Sequence, residues 1–589
     1  MAVLLAVYAL PSALNLPQAN PGQVAEYAPV PGNSGAAPPG GNFAGLGLGE
    51  SGAAQGGGAA TGSGAPGQPE VPNGMQCVGN PPRQTEDPLS PPCVPIFKGD
   101  NGGATWVGVT RTQITVVFRF IELQGSCRSD TAYSNACGAP TGYYDLENPS
   151  STDGYNANFY FTFLHYWDIF FNARFQTYGR HVHFWAYNYG DTQGYLQNGY
   201  SESNAASEAA DNFARLRPFA DVGSWSVFPE VYTEALAKKN VLTFGYISQQ
   251  LASAYPGLYW NYAPPVEYTA QLYATYVCRR MIDTGKTSFA GSFPNGTTRK
   301  YGLLLTDDQL ASETRAVQKL AVDDMKKLCN FSPADIAYFH YSGAFNATGP
   351  NSGWGTQNMT DFDAKGITTV IWPGGEESED MQAADKLGYQ PEWMMLGDGL
   401  LDGNLMSAEP RNEMSHAWVV TSNTLVNSHG YAVEQPCYDA LLAVDPSIDK
   451  STSDIFYACA GVDGYMYDDI RQLFTGIQLA GPHLTPESMN EGFHAIPAKP
   501  STGPTQPACY YLTGDYTCVK DGVAEWFDVN TPQQSTDSTG CWRMWEGGFR
   551  YLPGHWPSGD VMAEGEVTSR DPCNLDPGGL NQTIRPPGG

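Results

Sequence analysis

The sequence contains few basic residues. Lys and Arg together number 31 among 589 residues, whereas Asp and Glu number 60, so the net charge is −29. A chain this acidic lacks the basic surface that binding to nucleic acid or to an anionic membrane requires. We therefore expect no nucleic-acid partner. Aromatic residues make up 12% of the chain, and an acidic, aromatic-rich composition favours an exported protein.

The signatures of the common catalytic and metal centres are also missing. There is no GxSxG elbow, no Walker phosphate loop and no HExxH helix. The segment DGLLDGN at 398–404 lacks the spacing and the terminal Glu of an EF-hand. His181 and His183 alternate on one face of a predicted strand, and we interpret them as structural histidines. We predict a non-enzyme without catalytic residues, cofactor or metal site.

The chain has twelve cysteines but no CxxC pair, which argues against a structural zinc site or a redox dithiol. An even number of cysteines in an exported chain favours disulfides. Sequence alone does not fix their connectivity. The simplest hypothesis joins sequence neighbours in six bridges: Cys77–Cys93, Cys127–Cys137, Cys278–Cys329, Cys437–Cys459, Cys509–Cys518 and Cys541–Cys573.

Residues 1–19 are apolar and uncharged, and the first basic residue of the chain is Arg83. The segment resembles the apolar part of a signal peptide or the end of a membrane anchor. It is shorter than the roughly 20 apolar residues of a full membrane span, and an apolar tail without such a role is the alternative. Residues 20–103 are rich in Gly, Ala and Pro, which predicts a disordered tether with a proline-rich clasp at Cys77–Cys93. We expect an extracellular or cell-surface protein with possible N-terminal membrane anchoring.

From residue 114 the apolar patterns alternate between strands and helices. ITVVFRF (114–120) reads as a strand, 158–179 as an aromatic helix, 181–188 as a strand and 201–217 as an amphipathic helix. Continuous apolar strands between helices predict α/β structure with parallel sheets covered on both faces. The pattern restarts near 266, and its later members include the strands at 300–308, 335–343, 368–375, 393–399 and 416–422, a helix at 463–480 and a disulfide-clasped hairpin at 509–529.

The order of these elements resembles the type 1 periplasmic-binding fold of extracellular solute-binding proteins. NGGATWVGVTRTQITVVFRF is similar to the opening of the class that serves branched-chain amino acid ABC transporters, and TTVIWPGG with WMMLGDG is similar to its second-lobe segments. RQTEDPLSPPCVPIFKGDNGG further resembles a tethered subgroup of actinobacterial type. The resemblance covers about 104–555.

This resemblance implies two Rossmann-like lobes with parallel sheets joined by a three-crossing hinge. The first lobe would comprise 104–262 plus 426–503, and the second 263–425 plus 504–560, followed by a C-terminal tail at 561–589. With cysteines paired as neighbours, no disulfide would cross the hinge, which leaves the lobes free to close on a ligand.

Ligands of open α/β sheets bind beyond the carboxyl ends of the strands. By position, the resemblance implies that Ser226 and Ser248 hold a ligand carboxylate and that Asp398 holds an ammonium group. Tryptophan and tyrosine in these loops favour an aromatic or larger amphipathic solute over a small aliphatic amino acid. For each of these residues the alternative is a structural role in a turn, a loop or the core. The full set of predicted ligand-binding residues is Ser224, Trp225, Ser226, Tyr246, Ser248, Trp372, Glu376 and Asp398.

The resemblance implies capture of a small molecule, amino-acid-like or larger and amphipathic, and its delivery to the membrane permease of an ABC transporter. Two alternatives stay open, because a fold does not fix a function. One is a non-catalytic surface sensor or interaction protein on the same scaffold. The other is a secreted hydrolase, for which the sequence offers no nucleophile–base arrangement.

Overall fold

The structure is a computed structural model that describes residues 77–87, 89–122, 141–148, 159–191, 201–223, 228–245, 247–306, 312–339, 353–374, 379–397, 410–422, 435–448, 459, 464–498, 507–532, 539–544 and 550–555. The apolar segment at 1–19, the tether before residue 77 and the tail at 561–589 lie outside these ranges. Among the helices within them, none combines the length and the apolar character that crossing a membrane would need.

Strands account for two sheets in the described part of the chain. The strands are β1 (Gln113–Glu122), β2 (Gly142–Asp145), β3 (His181–Asp191), β4 (Ala220–Val222), β5 (Leu242–Phe244), β6 (Tyr259–Trp260), β7 (Tyr301–Thr306), β8 (Asp335–Phe339), β9 (Thr369–Trp372), β10 (Glu392–Leu396), β11 (Ala417–Thr421), β12 (Val523–Pro532) and β13 (Thr539–Met544).

Helices separate most of these strands. They are α1 (Phe159–Arg174), α2 (Glu202–Leu216), α3 (Pro229–Ala237), α4 (Gln249–Ala254), α5 (Val266–Tyr276), α6 (Ser312–Cys329), α7 (Trp354–Ala364), α8 (Glu379–Leu387), α9 (Arg411–Met414), α10 (Gln435–Val444), α11 (Gly464–Ala480) and α12 (Pro486–His494). A π-helical turn, Val277–Ile282, extends α5. The helix predicted at 158–179 ends at Arg174, and β4 is only three residues long.

Both sheets are mostly parallel. The first has the order β2-β3-β1-β4-β5-β6, and only its edge strand β2 is antiparallel to its neighbour. The second has the order β13-β12-β11-β10-β9-β7-β8, with β12 and β13 antiparallel. All residues of β9, β10 and β11 are buried, as expected of strands covered by helices on both faces. The predicted α/β class with two parallel-dominated sheets is therefore confirmed.

The buried side chains divide between the sheets as the chain passes back and forth. One core joins residues 109–262 with residues 437–519 and surrounds the first sheet. Two further clusters contain residues from 266–420 and 524–551 and lie on the second sheet. The chain thus passes from one sheet to the other three times, at 262–266, 421–437 and 519–523.

The segment at 509–519 corrects one detail of the sequence interpretation. Cys509 pairs with Val519 in an antiparallel bridge, and Thr517 pairs in parallel with Asn261, just beyond β6. This hairpin therefore packs with the first core rather than with the second lobe, and the remainder of the predicted 509–529 hairpin forms β12 of the other sheet. The third crossing consequently lies at 519–523, later than the predicted limit at 503/504.

Disulfides join sequence neighbours, as predicted, in four cases: Cys77–Cys93, Cys278–Cys329, Cys437–Cys459 and Cys509–Cys518. Cys127, Cys137 and Cys573 lie outside the described residues, so the other two bridges stay predictions. None of the four described bridges joins the core of the first sheet to the clusters of the second.

The proline-rich segment at 77–98 packs against the first core. Asp87 is buried and forms an ion pair with Arg471 of α11 (Oδ2 to Nη1, 2.6 Å). Gln478 of the same helix donates a hydrogen bond to the carbonyl of Pro92 (2.9 Å). The folded part therefore begins before Lys98, and the described end of the predicted tether is docked on α11.

Candidate functional site

The strand order of each sheet marks where a ligand would bind. Without its antiparallel strands, the first sheet runs β3-β1-β4-β5-β6 and the second runs β8-β7-β9-β10-β11. In both sheets the order reverses beside the first strand, between β1 and β4 and between β7 and β9. Loops diverge at such a switch point and leave a crevice beyond the carboxyl ends of the strands. We call this end of each sheet its carboxyl edge.

The third crossing brings the two carboxyl edges close together. The Val519 N–H donates to the carbonyl of Tyr262 (2.9 Å), at the carboxyl edge of the first sheet. Val523 pairs with Thr421, the last residue of β11, at the carboxyl edge of the second sheet. Four residue steps, from Val519 to Val523, span at most about 14 Å. At this crossing the two edges therefore lie within the reach of one small molecule and its contacting side chains.

Buried ion pairs hold this crossing in place. Arg550 donates to Asp521 (Nε to Oδ1, 2.9 Å) and to the carbonyl of Ser422 (2.9 Å), which follows β11. Lys520 contacts Asp515 (2.7 Å) and donates to the hydroxyl of Thr517 (2.8 Å). Lys520 is thus anchored to the hairpin of the first core, while Asp521 links both sides: it accepts from the N–H of Ala508 beside that hairpin (3.1 Å) and is joined through Arg550 to the end of β11.

Glycine ends the strands at the first carboxyl edge. Gly223 follows β4 with φ +83°, and a Cβ there would lie 1.9 Å from Phe118 of β1. Gly245 follows β5 with φ +129°. Only glycine adopts such backbone angles without strain, so both positions directly before the predicted ligand loops require glycine.

Behind the first edge lies a fully buried cation. Arg119 of β1 has no exposed surface and pairs with Glu208 of α2 through Nη2 and Nε (2.7 and 3.1 Å to Oε2). Its guanidinium carbon also lies 4.1 Å from the ring centroid of Tyr189 and 4.3 Å from that of Tyr232. The sequence interpretation missed this group, although a lone Arg in the apolar run VVFRF was a signal for it.

The network continues through hydroxyl and amide groups. Tyr232 donates to Oδ2 of Asp221 in β4 (2.8 Å) and accepts from Nδ2 of Asn212 (2.8 Å), which in turn accepts from Tyr143 (2.7 Å). Burial raises the pKa of Asp221 to about 7. Since these groups are buried and mutually bonded, we interpret them as the support that fixes the ends of β1 and β4, not as groups that touch a ligand.

A glutamine clamps the switch point of the second sheet. Gln318 of α6 is buried, accepts from the N–H of Thr306 at the end of β7 (3.0 Å) and donates to the carbonyl of Gly374 after β9 (2.8 Å). Its two bonds join the ends of the strands on either side of the crevice. Sequence patterns do not reveal this clamp, because one of its contacts joins residues 56 positions apart.

Two of the predicted ligand-binding residues lie within the described ranges. Ser248 is buried and caps α4, where its Oγ accepts from the N–H of Leu251 (3.2 Å). Trp372 has no exposed surface and packs in the second sheet's core against Phe339 and Trp393. Both positions agree with the alternative considered from the sequence, a structural role: a helix cap for Ser248 and a core residue for Trp372. Ser224, Trp225, Ser226, Tyr246, Glu376 and Asp398 lie outside the described residues.

A carboxylate of the chain itself already contacts the carboxyl edge beside Ser248. Glu267, in the first turn of α5, accepts from the N–H of Gln249 through both oxygens (3.1 and 3.2 Å). Burial raises the pKa of Glu267. This contact links α4, which packs with the first core, to α5, which packs on the second sheet, directly after the first crossing.

Comparison with known proteins gave structural neighbours only. No protein-family model matches the sequence, and no curated protein matches it. A substrate-binding protein of an ABC transporter from Aeropyrum pernix is 13% identical with a TM-score of 0.46, covering 70% of this chain and 92% of its own. A leucine-binding protein from Thermotoga maritima is 10% identical with a TM-score of 0.43, covering 70% and 95%. A solute-binding protein from Rhodopseudomonas palustris in complex with 3,4-dihydroxybenzoic acid is 9% identical with a TM-score of 0.47, covering 76% and 99%.

Proposed function

We propose that the protein is an extracellular solute-binding protein. It captures a small molecule between the carboxyl edges of its two sheets and delivers it to the membrane permease of an ABC transporter. The observation that carries this proposal is the short third crossing, which holds the end of the first sheet within about 14 Å of the end of the second. In this proposal the protein is not an enzyme, and residues 1–19 direct its export or anchor it to the membrane.

The glycines and the glutamine clamp support a preformed crevice. Gly223 and Gly245 end β4 and β5 with positive φ angles, and Gln318 fixes the gap between β7 and β9. Binding sites of this kind are largely preformed and carry a few placed polar groups. The proposed polar groups are the hydroxyls of Ser224, Ser226 and Ser248 and the carboxylates of Glu376 and Asp398.

Ser248 can serve a ligand without losing its structural role. Its oxygen accepts from the Leu251 N–H, and its hydroxyl hydrogen remains able to donate, because a serine hydroxyl is both donor and acceptor. In the proposed site it donates to a ligand carboxylate together with Ser226, while Asp398 accepts from an ammonium group. Trp225 and Tyr246 provide aromatic surface, so an aromatic or larger amphipathic solute is expected.

Movement of the lobes is compatible with the covalent structure. Within the described ranges, the disulfides stay inside one core or within the N-terminal clasp. Closure would therefore bend the crossings at 262–266, 421–437 and 519–523 without opposing a covalent bridge. We retain lobe limits near 262/263 and 425/426 and place the last one at 519–523.

The experiment is titration calorimetry with a panel of amino acids, aromatic carboxylates and fatty acids, followed by small-angle scattering with any solute that binds. We expect an aromatic or amphipathic solute to bind and to reduce the radius of gyration. Trp225→Ala and Asp398→Asn should weaken binding, whereas the matched control Trp354→Ala, at a tryptophan that is 51% exposed on α7, should not. Tight binding of small aliphatic amino acids alone would refute the ligand class. If protein purified from its native host neither binds any solute of the panel nor becomes more compact, the proposed function is refuted.

A further inference from the structure

A cluster of histidines and carboxylates lies at the opposite end of the first sheet from its carboxyl edge. Ligand atoms of Glu147, Asp168 and His181 all lie within 4.8 Å of one another. His181 starts β3, Glu147 follows β2 and Asp168 belongs to α1. Three separate elements therefore bring one imidazole and two carboxylates together. Glu147 and Asp168 precede His181 in the chain by 34 and 13 positions.

The pairing of β2 with β3 positions two of these side chains. Asp145 is paired with Trp185, and the Leu146 N–H donates to the carbonyl of Phe184 (3.1 Å). Glu147 therefore continues along the beginning of β3. Its Oε1 lies 2.6 Å from Nε2 of His181.

The third side chain is positioned by a contact with the beginning of β3, which extends beyond the residues that pair with β2. Asn172 of α1 donates to the carbonyl of Val182 (2.9 Å) and accepts from its N–H (2.9 Å). Asn172 thereby replaces a neighbouring strand and fixes α1 against β3. Asp168 lies one helical turn before Asn172 and accepts from its Nδ2 (2.5 Å), so the same contact places the Asp168 carboxylate near Glu147 and His181.

A second histidine supports the cluster from outside. His183 Nδ1 lies 3.4 Å from Oε2 of Glu147, and its Nε2 lies 2.8 Å from Oδ1 of Asp145. Its ring also stacks on Trp185, with centroids 5.5 Å apart. Metal-binding carboxylates and histidines in proteins are commonly oriented by such an outer layer of hydrogen bonds.

Charge gives an independent reason to expect a cation. Asp168 is only 2% exposed, and its carboxyl group lies within 4.8 Å of the ligand atoms of Glu147 and His181. It accepts a hydrogen bond from the neutral amide of Asn172. Buried carboxylates are normally paired with a cation or coordinated to a metal, and His181, half of whose side chain is exposed, leaves the cluster open to ions from solvent.

We propose that Glu147, Asp168 and His181 form a binding site for a divalent transition-metal ion, with Zn²⁺ as the representative ion. One imidazole nitrogen with two carboxylate oxygens suits Zn²⁺ or a similar ion, whereas Mg²⁺ and Ca²⁺ prefer oxygen ligands only. A tetrahedral ion at about 2.1 Å from each donor separates the donors by about 3.4 Å, so small side-chain rotations from the observed spacing suffice. The ion would join the end of β2, the start of β3 and α1.

The test uses the full chain, freed of metal with a chelator and dialysed against Zn²⁺. We expect one ion bound per chain by elemental analysis, and an affinity reduced by about tenfold or more in His181→Gln and in Asp168→Asn. The control is His483→Gln, which removes an exposed histidine of the same core region and should leave binding unchanged. His181 is exposed, so its variant should fold, and circular dichroism checks Asp168→Asn.

Cu²⁺ provides a second readout that does not depend on affinity. Its electron paramagnetic resonance spectrum should show coupling to imidazole nitrogen in the wild type and in His483→Gln, and no such coupling in His181→Gln. Failure of the wild-type chain to retain Zn²⁺, or equal retention by His181→Gln, would overturn the proposal. Because the cluster is at the amino end of β3, solute binding at the carboxyl edges should not change in any of these variants.

Discussion

The buried ion pair between Arg299 and Glu392 gives a sharp test of how the second sheet is stabilised. The two side chains are 2% and 0% exposed, and Nε of Arg299 lies 2.8 Å from Oε2 of Glu392. Glu392 also accepts from Nη2 of Arg299 (3.1 Å), from the hydroxyl of Thr369 (2.7 Å) and from the N–H groups of Ser288 and Phe289 (2.7 and 3.2 Å). One carboxylate thus joins β9, β10 and the segment before β7.

The expected cost of breaking this pair follows from burial rather than from the number of bonds. Five bonds to a charged group, at about 1.5–3 kcal/mol each, would sum to about 7–15 kcal/mol, which equals the whole stability of a typical domain. Such bonds are not additive. Removing one partner of a buried pair costs about 3–5 kcal/mol, because the other charge remains buried without compensation. We therefore expect Arg299→Met and Glu392→Gln each to lower the free energy of unfolding by about 3–5 kcal/mol.

A double-mutant cycle distinguishes this explanation from simple loss of packing. With both charges removed, neither remains uncompensated, so Arg299→Met/Glu392→Gln should be more stable than the sum of the single losses predicts, by at least about 2 kcal/mol. The measurement is urea unfolding with the disulfides intact, followed by circular dichroism. The control cycle uses the pair Lys319–Asp323 on α6, whose side chains are 76% and 51% exposed. Its coupling energy should be about 0.5 kcal/mol or less. Single losses below about 1 kcal/mol, or equal coupling in both cycles, would refute the reasoning.

Three further predictions concern other parts of the chain. Burial raises the pKa of Glu413 from 4.5 to about 8, so its protonated form stabilises the fold fully below pH 4.5, and this contribution, at most roughly 5 kcal/mol, is lost as the pH rises through 8. Measured by urea unfolding from pH 5 to 9, the free energy of unfolding should therefore decline less in Glu413→Gln than in the wild type. An equal decline in both would contradict the assignment. Ser248→Ala removes the cap that accepts from Leu251 and should lower the unfolding free energy by about 1 kcal/mol, while Ser248→Asn should restore most of it. Asp87→Ala leaves Arg471 without one of its buried partners and should lower the free energy of unfolding by about 3 kcal/mol. Limited proteolysis should then cut the 77–98 segment faster than in the wild type, and a variant as resistant as the wild type would show that the pair does not anchor the segment.

The pattern of apolar residues was sufficient to predict the α/β class. Runs such as TVIW and EWMML are apolar enough to be covered on both faces, and this local property forces parallel strands between helices. Short separations likewise predicted the described disulfides, because a nearby cysteine is the partner with the smallest loop to close. The sequence was less reliable at strand ends: β1 is ten residues long, Gln113–Glu122, where seven were predicted, since hydrogen bonding to neighbours decides where a strand stops.

The contacts between distant residues were decided by the tertiary structure alone. Periodicity placed His181 and His183 on one face of a strand, but only the packing of α1 against the edge of β3 brings Asp168 to them. Trp372 is the last residue of β9, and the packing around it determines that it is fully buried.

The hairpin at 509–519 follows the same principle. Its cysteines and turn are a local pattern, while its position beside β6 depends on pairing between Asn261 and Thr517, far apart in the chain. Local sequence sets the conformation of each element because the relevant interactions reach only a few residues. The position of a side chain in a site depends on which elements become neighbours, and that is fixed by burial and hydrogen bonding across the whole fold.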